Sequence, residues 1–300
     1  YTEADLESKK KGKYFADDVF NLLLLGLIFI VTIAEIFTPY LVYIIAPGFV
    51  ENEVKYGLAI EFTRITFPFL LFISLSSFFS GILNSNNKFA AAAAAPIILN
   101  LVLILSILIS YFKNYNVANL LSYGVTLAGI IQLFFLIYVT SKFYQPKIQF
   151  KFKITKKVKF FFKKLIPSVL SSGVTQINIL VGTIIASFQS GAVSYLYYAD
   201  RVYQINLAIA GIAVGTVSLP ILSKAFKTKN FSKVANIQTK SLELSLLLSM
   251  PASLGLILAS NEIVSGLFGY GSFTEKDVEI TSKALMFFGY GIIAFALIKS

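Results

Sequence analysis

The feature that most constrains this chain is a series of apolar runs, each about as long as a membrane's hydrocarbon core is thick. A helix needs about 20 apolar residues to cross that core, and the sequence contains eight runs of about this length or longer. Only 14% of the 300 residues are charged, whereas soluble domains have roughly 25%. The sequence therefore predicts an all-α integral membrane protein with eight transmembrane helices, at residues 18–46, 62–84, 89–112, 117–141, 165–189, 192–222, 239–268 and 281–299.

The lysine content of the loops between these runs alternates from one loop to the next. Short loops rich in Lys and Arg remain in the cytoplasm. Lysines cluster before the first run and in the loops after the fourth and sixth runs, and Lys88 lies in the loop after the second run. In the other loops lysines are few or balanced by acids. This alternation predicts that both ends of the chain are cytoplasmic.

The segment 142–164 contains nine lysines and no acidic residue. One interpretation is a cytoplasmic linker whose amphipathic part, KKVKFFFKKL, lies on an anionic membrane surface. The other is a basic guide that collects an anionic lipid substrate. Nucleic acid fits poorly as a partner, because the basic residues flank membrane spans and no nucleic-acid-binding fold is visible.

Composition also argues against several kinds of chemistry. The chain has no cysteine and no histidine, which removes thiolate nucleophiles, imidazole bases and the usual zinc ligands. A membrane enzyme acting on polyprenyl phosphates is a rival hypothesis, but it usually needs clustered carboxylates for Mg²⁺. The aspartates are far from one another in the sequence or lie at the predicted membrane edges; they are Asp17, Asp18, Asp200 and Asp277. We therefore expect neither an enzyme nor a bound metal.

A weak internal repeat relates the two ends of the chain. Residues 46–70 align with residues 268–292, and each stretch has an aromatic Gly turn, an acidic loop and then an apolar helix. Chance similarity between apolar segments is the alternative explanation. A true repeat would be shifted by six helices, and an even shift makes the two repeats parallel. It would predict two lobes of six helices each, with the first two helices of the first lobe missing from this chain.

Three segments together resemble the MurJ (MviN) family of lipid II flippases. They are RITFPFLLFISLSSFFSGILNSNNKFAAAAAAPIILNLVLI at 64–104, with APGF before it, YYADRVYQINLAIAGIAVGTVSLPILSKAF at 197–226, and FGYGSFTEKDVEITSKAL at 268–285. The family belongs to the multidrug/oligosaccharidyl-lipid/polysaccharide exporter superfamily. The resemblance implies a two-lobe, pseudo-symmetric transporter fold around a central cavity. It also implies that the chain is an internal fragment with the third to tenth family helices: a partial N-lobe at 1–141, a linker at 142–164 and a partial C-lobe at 165–300.

Arg201 is the most unusual residue in the apolar runs. An arginine at the centre of a bilayer costs at least ~2.5–3.5 kcal/mol, and Arg201 is one of only two arginines in the chain. Its neighbour Asp200 is a poor partner, since adjacent helical residues point about 100° apart. A salt bridge to Glu35, snorkelling to the interface and contact with an anionic substrate remain open. The resemblance implies the last: the matching family arginine belongs to a cluster that binds the diphosphate, and we include Asp200 and Ser194 as substrate-binding candidates.

Polar residues also mark the fifth predicted span. They could serve helix packing through small and hydroxyl side chains, or they could line a cavity or hold a cation. We predict Gln176 as a substrate-binding residue, and Asn178, Ser172 and Glu35 as possible cavity or ion residues. The full stripe is Ser171, Ser172, Thr175, Gln176, Asn178 and Thr183.

The expected function follows from the resemblance. The protein would flip lipid II, the lipid-linked peptidoglycan precursor, from the inner to the outer leaflet of the bacterial cytoplasmic membrane by alternating access. We expect a monomer in contact with membrane lipids, with no cofactor beyond the membrane potential and a possible coupled monovalent cation. The alternative is a cation-coupled drug or polysaccharide exporter of the same superfamily, for which acidic or aromatic cavity residues are expected instead of an arginine clamp.

Overall fold

A computed structural model describes residues 9–149, 155–228 and 230–299. They form two compact units that divide between Phe188 and Gln189. The first unit contains a 3₁₀ turn at Pro47–Glu51 and seven α-helices: α1 (Lys9–Ile36), α2 (Thr38–Ile45), α3 (Glu53–Thr66), α4 (Phe69–Ser85), α5 (Phe89–Lys113), α6 (Val117–Thr140) and α7 (Lys156–Ser187).

The core of the first unit lies where α1, α4 and α6 meet. Phe20 of α1 packs against Phe79 of α4, with ring centroids 5.8 Å apart, and Leu136 of α6 is fully buried in the same cluster. The buried amide of Gln132 on α6 donates to the carbonyl oxygen of Ala95 on α5, at 2.6 Å. This hydrogen bond ties α5 to α6, while the buried Oε1 atom of Gln132 has no hydrogen-bond partner among the described residues.

The second unit contains six helical segments among the described residues. They are α8 (Ala192–Leu207), a π-helical turn (Ala208–Ile212), α9 (Ala213–Lys227), α10 (Phe231–Leu258), α11 (Ser260–Phe268) and α12 (Glu275–Lys299).

Small residues bring α10 and α12 close together. The hydroxyl of Ser253 donates to the carbonyl oxygen of Gly289 at 2.8 Å. A Cβ atom at Gly289 would lie only 3.0 Å from Ile257 Cγ1. Close backbone approach of this kind is a common means of joining membrane helices, and four buried serines line one side of α10: Ser241, Ser245, Ser249 and Ser253.

The helix boundaries differ from the predicted spans and loops at three places. The run 18–46 divides at Phe37 into α1 and α2, with Pro39 in the first turn of α2. The run 239–268 divides at Ala259 into α10 and α11. The segment 51–61, predicted as an exterior loop, is largely helical in α3. A break in a helix does not change the apolar composition of the run that contains it. The length of the run therefore could not predict these boundaries.

Six helical stretches among the described residues are long and apolar enough to cross a membrane. They confirm a multi-pass, all-α membrane protein, but not the predicted count of eight. The fifth and sixth predicted spans fall on α7 and on α8 to α9, where several side chains lie outside the described residues and a shorter apolar stretch, Gln176–Ser187, is found. The six are Lys11–Ile36, Glu53–Ser85, Phe89–Lys113, Val117–Thr140, Phe231–Leu258 and Glu275–Ile298.

Candidate functional site

Helix α8 carries the principal candidate residues on one side. Ala199 is fully buried in a core cluster with Leu285 and Ile292 of α12. The opposite side of α8 is exposed at positions three or four residues apart, which fall on one face of a helix. That exposed face contains Ser194, Tyr197, Tyr198, Arg201 and Gln204.

Arg201 is held by a tyrosine one turn earlier. A guanidinium Nη2 of Arg201 donates to the hydroxyl oxygen of Tyr197 at 2.8 Å, and its Cζ atom lies 4.5 Å from the centroid of the Tyr197 ring. The face of an aromatic ring attracts a cation through its quadrupole. The ring and hydroxyl of Tyr197 therefore restrict where the guanidinium can point, while its remaining N–H groups stay available.

Asp200 has a different partner. Its carboxylate accepts a short hydrogen bond from the side-chain amide of Gln204, one turn later on the same helix. Among the described residues no ion pair joins Asp200 to Arg201, as expected for neighbours on a helix. The positive charge of Arg201 is thus not neutralised by the adjacent acid.

The start of α8 is fixed to the start of α12. The hydroxyl of Tyr195 donates to Asp277 Oδ1 at 2.6 Å. Asp277 Oδ2 also accepts bonds from the backbone N–H and the hydroxyl of Thr274, each at 2.7 Å. Three hydrogen bonds to one carboxylate make a firm anchor, so Asp277 helps to orient the helix that carries Arg201.

The other candidates lie in the first unit. Gln176 and Asn178 are exposed on α7, and the side chain of Ser172 lies outside the described residues. Thr183 uses its hydroxyl locally, donating to the carbonyl oxygen of Ile179 at 2.9 Å. Neither Gln176 nor Asn178 is buried against another helix, which agrees better with an exposed polar surface than with close helix packing.

Glu35 sits near the end of α1. Its Oε1 atom is buried and has no hydrogen-bond partner among the described residues. The basic residue that interacts with it electrostatically is Arg64 of α3. A buried, unsatisfied carboxylate oxygen in a membrane helix is costly and marks a functional candidate, so Glu35 stays a predicted ion or cavity residue.

Comparison with known proteins decides the family. The family model described as "Lipid II flippase MurJ" matches residues 1–299. The chain belongs to this family. The resemblance found in the three motif segments is thereby confirmed.

Individual MurJ proteins support the same assignment. The chain is 38% identical to a protein of Rhizobium tropici and 39% identical to one of Rickettsia prowazekii (strain Madrid E), both named "Probable lipid II flippase MurJ". These matches cover 96% and 100% of this chain, but 55% and 59% of the relatives. The chain therefore spans little more than half the length of these MurJ proteins.

A solved MurJ structure has the same fold. It is titled "Lipid II flippase MurJ, inward closed conformation", with a TM-score of 0.83 and 27% identity. The match covers 99% of this chain and 62% of that one. The MurJ transporter fold predicted from the sequence is thus confirmed, while the roles of individual site residues stay predictions.

Two residues important to this site escaped the sequence analysis. Tyr197 looked like any interfacial tyrosine, and its one distinguishing sign was its position four residues before Arg201. Asp277 was noted only as an isolated acid, although Thr274 three residues earlier is typical of a helix start. The Arg201–Tyr197 contact depends on side-chain orientation within one helix, and the Tyr195–Asp277 contact joins residues far apart in the sequence.

Proposed function

We propose that the protein flips lipid II from the inner to the outer leaflet of the bacterial cytoplasmic membrane, with Arg201 as a ligand of the diphosphate. The observation that carries this proposal is the exposed Arg201 guanidinium, supported by Tyr197 and not paired with Asp200, in a member of the MurJ family.

The chemistry of arginine suits this role. A guanidinium can bind phosphate oxygens through two parallel hydrogen bonds, whereas a lysine ammonium acts as a point charge. One hydrogen bond to Tyr197 leaves several N–H donors of Arg201 free. Ser194 and Asp200, on the same helix, would orient the headgroup and adjust the local charge.

Alternating access would move the headgroup while the polyprenyl tail stays in the lipid. Moving each net negative charge outward across an inside-negative potential of 100 mV is favourable by ~2.3 kcal/mol. The potential could therefore give direction without a cofactor, and a coupled monovalent cation could add to it at Glu35, Asn178 or Ser172. Gln176 would contribute a further substrate contact. No covalent bond changes in this route, so we propose a transporter and not an enzyme.

We further propose a monomer in the inner membrane with both ends of this chain in the cytoplasm. The lysine alternation supports this orientation. Membrane lipids are the remaining partners.

A genetic rescue experiment tests the function and the role of Arg201 together. The full-length gene product, unchanged or with Arg201→Lys or Arg201→Ala, is expressed in cells depleted of their own lipid II flippase. We expect the unchanged protein to restore growth, Arg201→Lys to restore it weakly and Arg201→Ala to fail, because only arginine provides the fork. Lys233→Ala, which removes an exposed cation from the same unit, should rescue normally.

The amount of each variant in the membrane is measured alongside growth. Full rescue by Arg201→Ala at normal abundance would show that Arg201 does not hold the diphosphate. Failure of every form, including the unchanged protein, would instead favour an exporter of the same superfamily.

A further inference from the structure

A cavity lined by lysines lies at one end of the first unit. Its volume is about 460 Å³, within the range of roughly 300–1,000 Å³ typical of ligand pockets. The beginning of α1 forms one wall, and the segment 141–147 that follows α6 forms the other. By the lysine alternation this end of the unit is cytoplasmic.

The second wall is firmly built. After α6 ends, the chain turns back through hydrogen bonds from the backbone N–H groups of Phe143 and Tyr144 to the carbonyl oxygen of Thr140, at 2.8 and 2.9 Å. The Tyr144 side chain is 1% exposed and packs against the rings of Phe78 and Phe79. The cavity is therefore a feature of the packed fold and not a gap beside a free loop.

Asn21 and Asp17 of α1 fasten the same segment. The Asn21 amide donates to the carbonyl oxygen of Lys147 at 2.8 Å, and its carbonyl oxygen accepts from the backbone N–H of Gln149 at 2.9 Å. Asp17 Oδ1 accepts from the Tyr144 hydroxyl at 2.7 Å and from the Lys147 backbone N–H at 3.1 Å. These bonds keep Lys142 and Lys147 on the cavity wall.

The charges on the lining are unbalanced. Lys13, Lys142 and Lys147 contribute three positive charges, and Asp17 is the one acidic residue among the lining residues. The Oδ1 atom of Asp17 already serves Tyr144 and the backbone, and among the described residues none of the three lysines forms an ion pair. A net positive, concave site that contains free ammonium groups attracts a compact anion.

We propose that this cavity, lined by Lys13, Lys142 and Lys147, binds a phosphate group. Lysine ammonium groups bind phosphate as point charges, and basic pockets at the cytoplasmic ends of membrane helices are suited to anionic headgroups. The phosphate could belong to a lipid headgroup or be free in solution. The Gln145 amide, which also lines the cavity, is a further donor for either source.

Binding is measured on the full-length protein in lipid nanodiscs by hydrogen–deuterium exchange of residues 141–149. One sample contains phosphatidylglycerol, a second phosphatidylcholine alone, and a third phosphatidylcholine with inorganic phosphate in the buffer. A lipid site predicts slower exchange of residues 141–149 in the phosphatidylglycerol sample than in the sample with phosphatidylcholine alone. A site for free phosphate predicts slower exchange in the third sample as well.

A pair of charge-matched variants separates the cavity from general surface charge. Lys13→Gln, Lys142→Gln and Lys147→Gln together remove the lining charges, while Lys159→Gln, Lys163→Gln and Lys164→Gln remove three exposed lysines of α7 outside the cavity. Since each lysine near an anionic surface contributes a factor of about five, the first set should weaken binding at least about tenfold. The second set should leave the protection of 141–149 unchanged.

The opposite results overturn the proposal. An equal loss of protection at residues 141–149 in both sets of variants shows an effect of surface charge alone. No protection by either phosphate source shows that the cavity binds neither. Should the first set fold poorly, Lys142→Gln is tested against Lys142→Arg. Equal binding by these two single variants would again reject the site.

Discussion

At the residue scale, the exposed face of α8 depends on how Tyr197 positions Arg201. The hydroxyl and the ring face act on the same guanidinium, so their contributions can be separated by substitution. A hydrogen bond to a charged group contributes about 1.5–3 kcal/mol, less at exposed positions, and an exposed cation–π contact about 0.5–1 kcal/mol. Both contributions concern orientation, because Tyr197 is 55% exposed and adds little to the core.

We predict that Tyr197→Phe weakens lipid II binding a few-fold and that Tyr197→Leu weakens it about tenfold. Phenylalanine keeps the ring and loses the hydrogen bond, while leucine loses both. Binding to purified protein is measured together with thermal stability, which should be unchanged in both variants. Tyr290→Phe, at another exposed tyrosine of the second unit, is the control. Tighter binding by Tyr197→Leu would mean that Tyr197 restrains Arg201 away from the substrate.

The sequence could identify Arg201 as a candidate residue, but not Tyr197 as the residue that positions it. An arginine inside an apolar run, in a chain that otherwise uses lysine, stands out by composition alone. Tyr197 is one of 16 tyrosines, and its role depends on ring orientation, which composition does not contain. Asp200 shows the same limit: its partner Gln204 lies at helical spacing, yet the sequence offers many such pairs.

At the element scale, single polar side chains hold segments in place that hydrophobic packing does not hold. Asn21 is 3% exposed and bonds the backbone of the segment after α6 on two sides. Each of these part-buried hydrogen bonds contributes about 0.5–1.5 kcal/mol. Long apolar helices were predictable from run length, but this fastening and the breaks at Phe37 and Ala259 were not, because they depend on individual polar contacts and on local backbone geometry.

Asn21→Ala should release the segment 144–149 while leaving α1 and α6 intact. Hydrogen–deuterium exchange should rise by about one order of magnitude or more at these amides, with little change in the helices. Asn100→Ala, at an exposed asparagine of α5, should have no such effect. Unchanged exchange in Asn21→Ala would show that Asp17 and Tyr144 hold the segment without it.

The 3₁₀ turn at Pro47–Glu51 meets the end of α7 at Gly48. The Gly48 N–H donates to the Ser187 hydroxyl at 3.0 Å, and a Cβ atom at Gly48 would lie 2.5 Å from the backbone carbon of Ser187. We predict that Gly48→Ala separates these elements and destabilises the protein by about 1–3 kcal/mol. Gly57→Ala has open space and should be neutral or slightly stabilising. Equal unfolding temperatures of the two variants would contradict the close contact.

At the scale of the whole molecule, the number of membrane crossings decides where the candidate residues can act. Each unit has its own core, and six candidate spans are clear. The two further predicted crossings, α7 and α8 to α9, contain Gln176, Asn178 and Arg201. The π-helical turn at Ala208–Ile212 divides the second of these crossings into helices of 16 and 15 residues, and several side chains of α7 lie outside the described residues, so fewer spans are counted in the structure than in the sequence. A helix side that faces a cavity is also expected to be polar, which makes such a crossing harder to recognise from apolar length.

Cysteine labelling can determine the crossings, since the chain has no native cysteine. Single substitutions at exposed positions, Ile148→Cys, Ser190→Cys and Ser232→Cys, stand before α7, between α7 and α8, and after α9. Eight crossings predict that an impermeant maleimide labels Ser190→Cys in intact cells and labels the other two only after permeabilisation. Tyr115→Cys, in the loop between α5 and α6 that the lysine alternation predicts to be exterior, is the positive control.

Protection of Ser190→Cys in intact cells, with normal labelling of Tyr115→Cys, would mean that α7 and α8 to α9 do not cross the membrane as a pair. Arg201 would then lie on the cytoplasmic side, where it could meet a headgroup only before transport. Labelling of Ser190→Cys from outside places the start of α8 at the exterior surface and Arg201, about nine residues further along, roughly 13 Å deeper in the membrane. At that depth an unpaired guanidinium is costly unless an anion or water-filled cavity accommodates it, so the labelling pattern and the diphosphate hypothesis support each other directly.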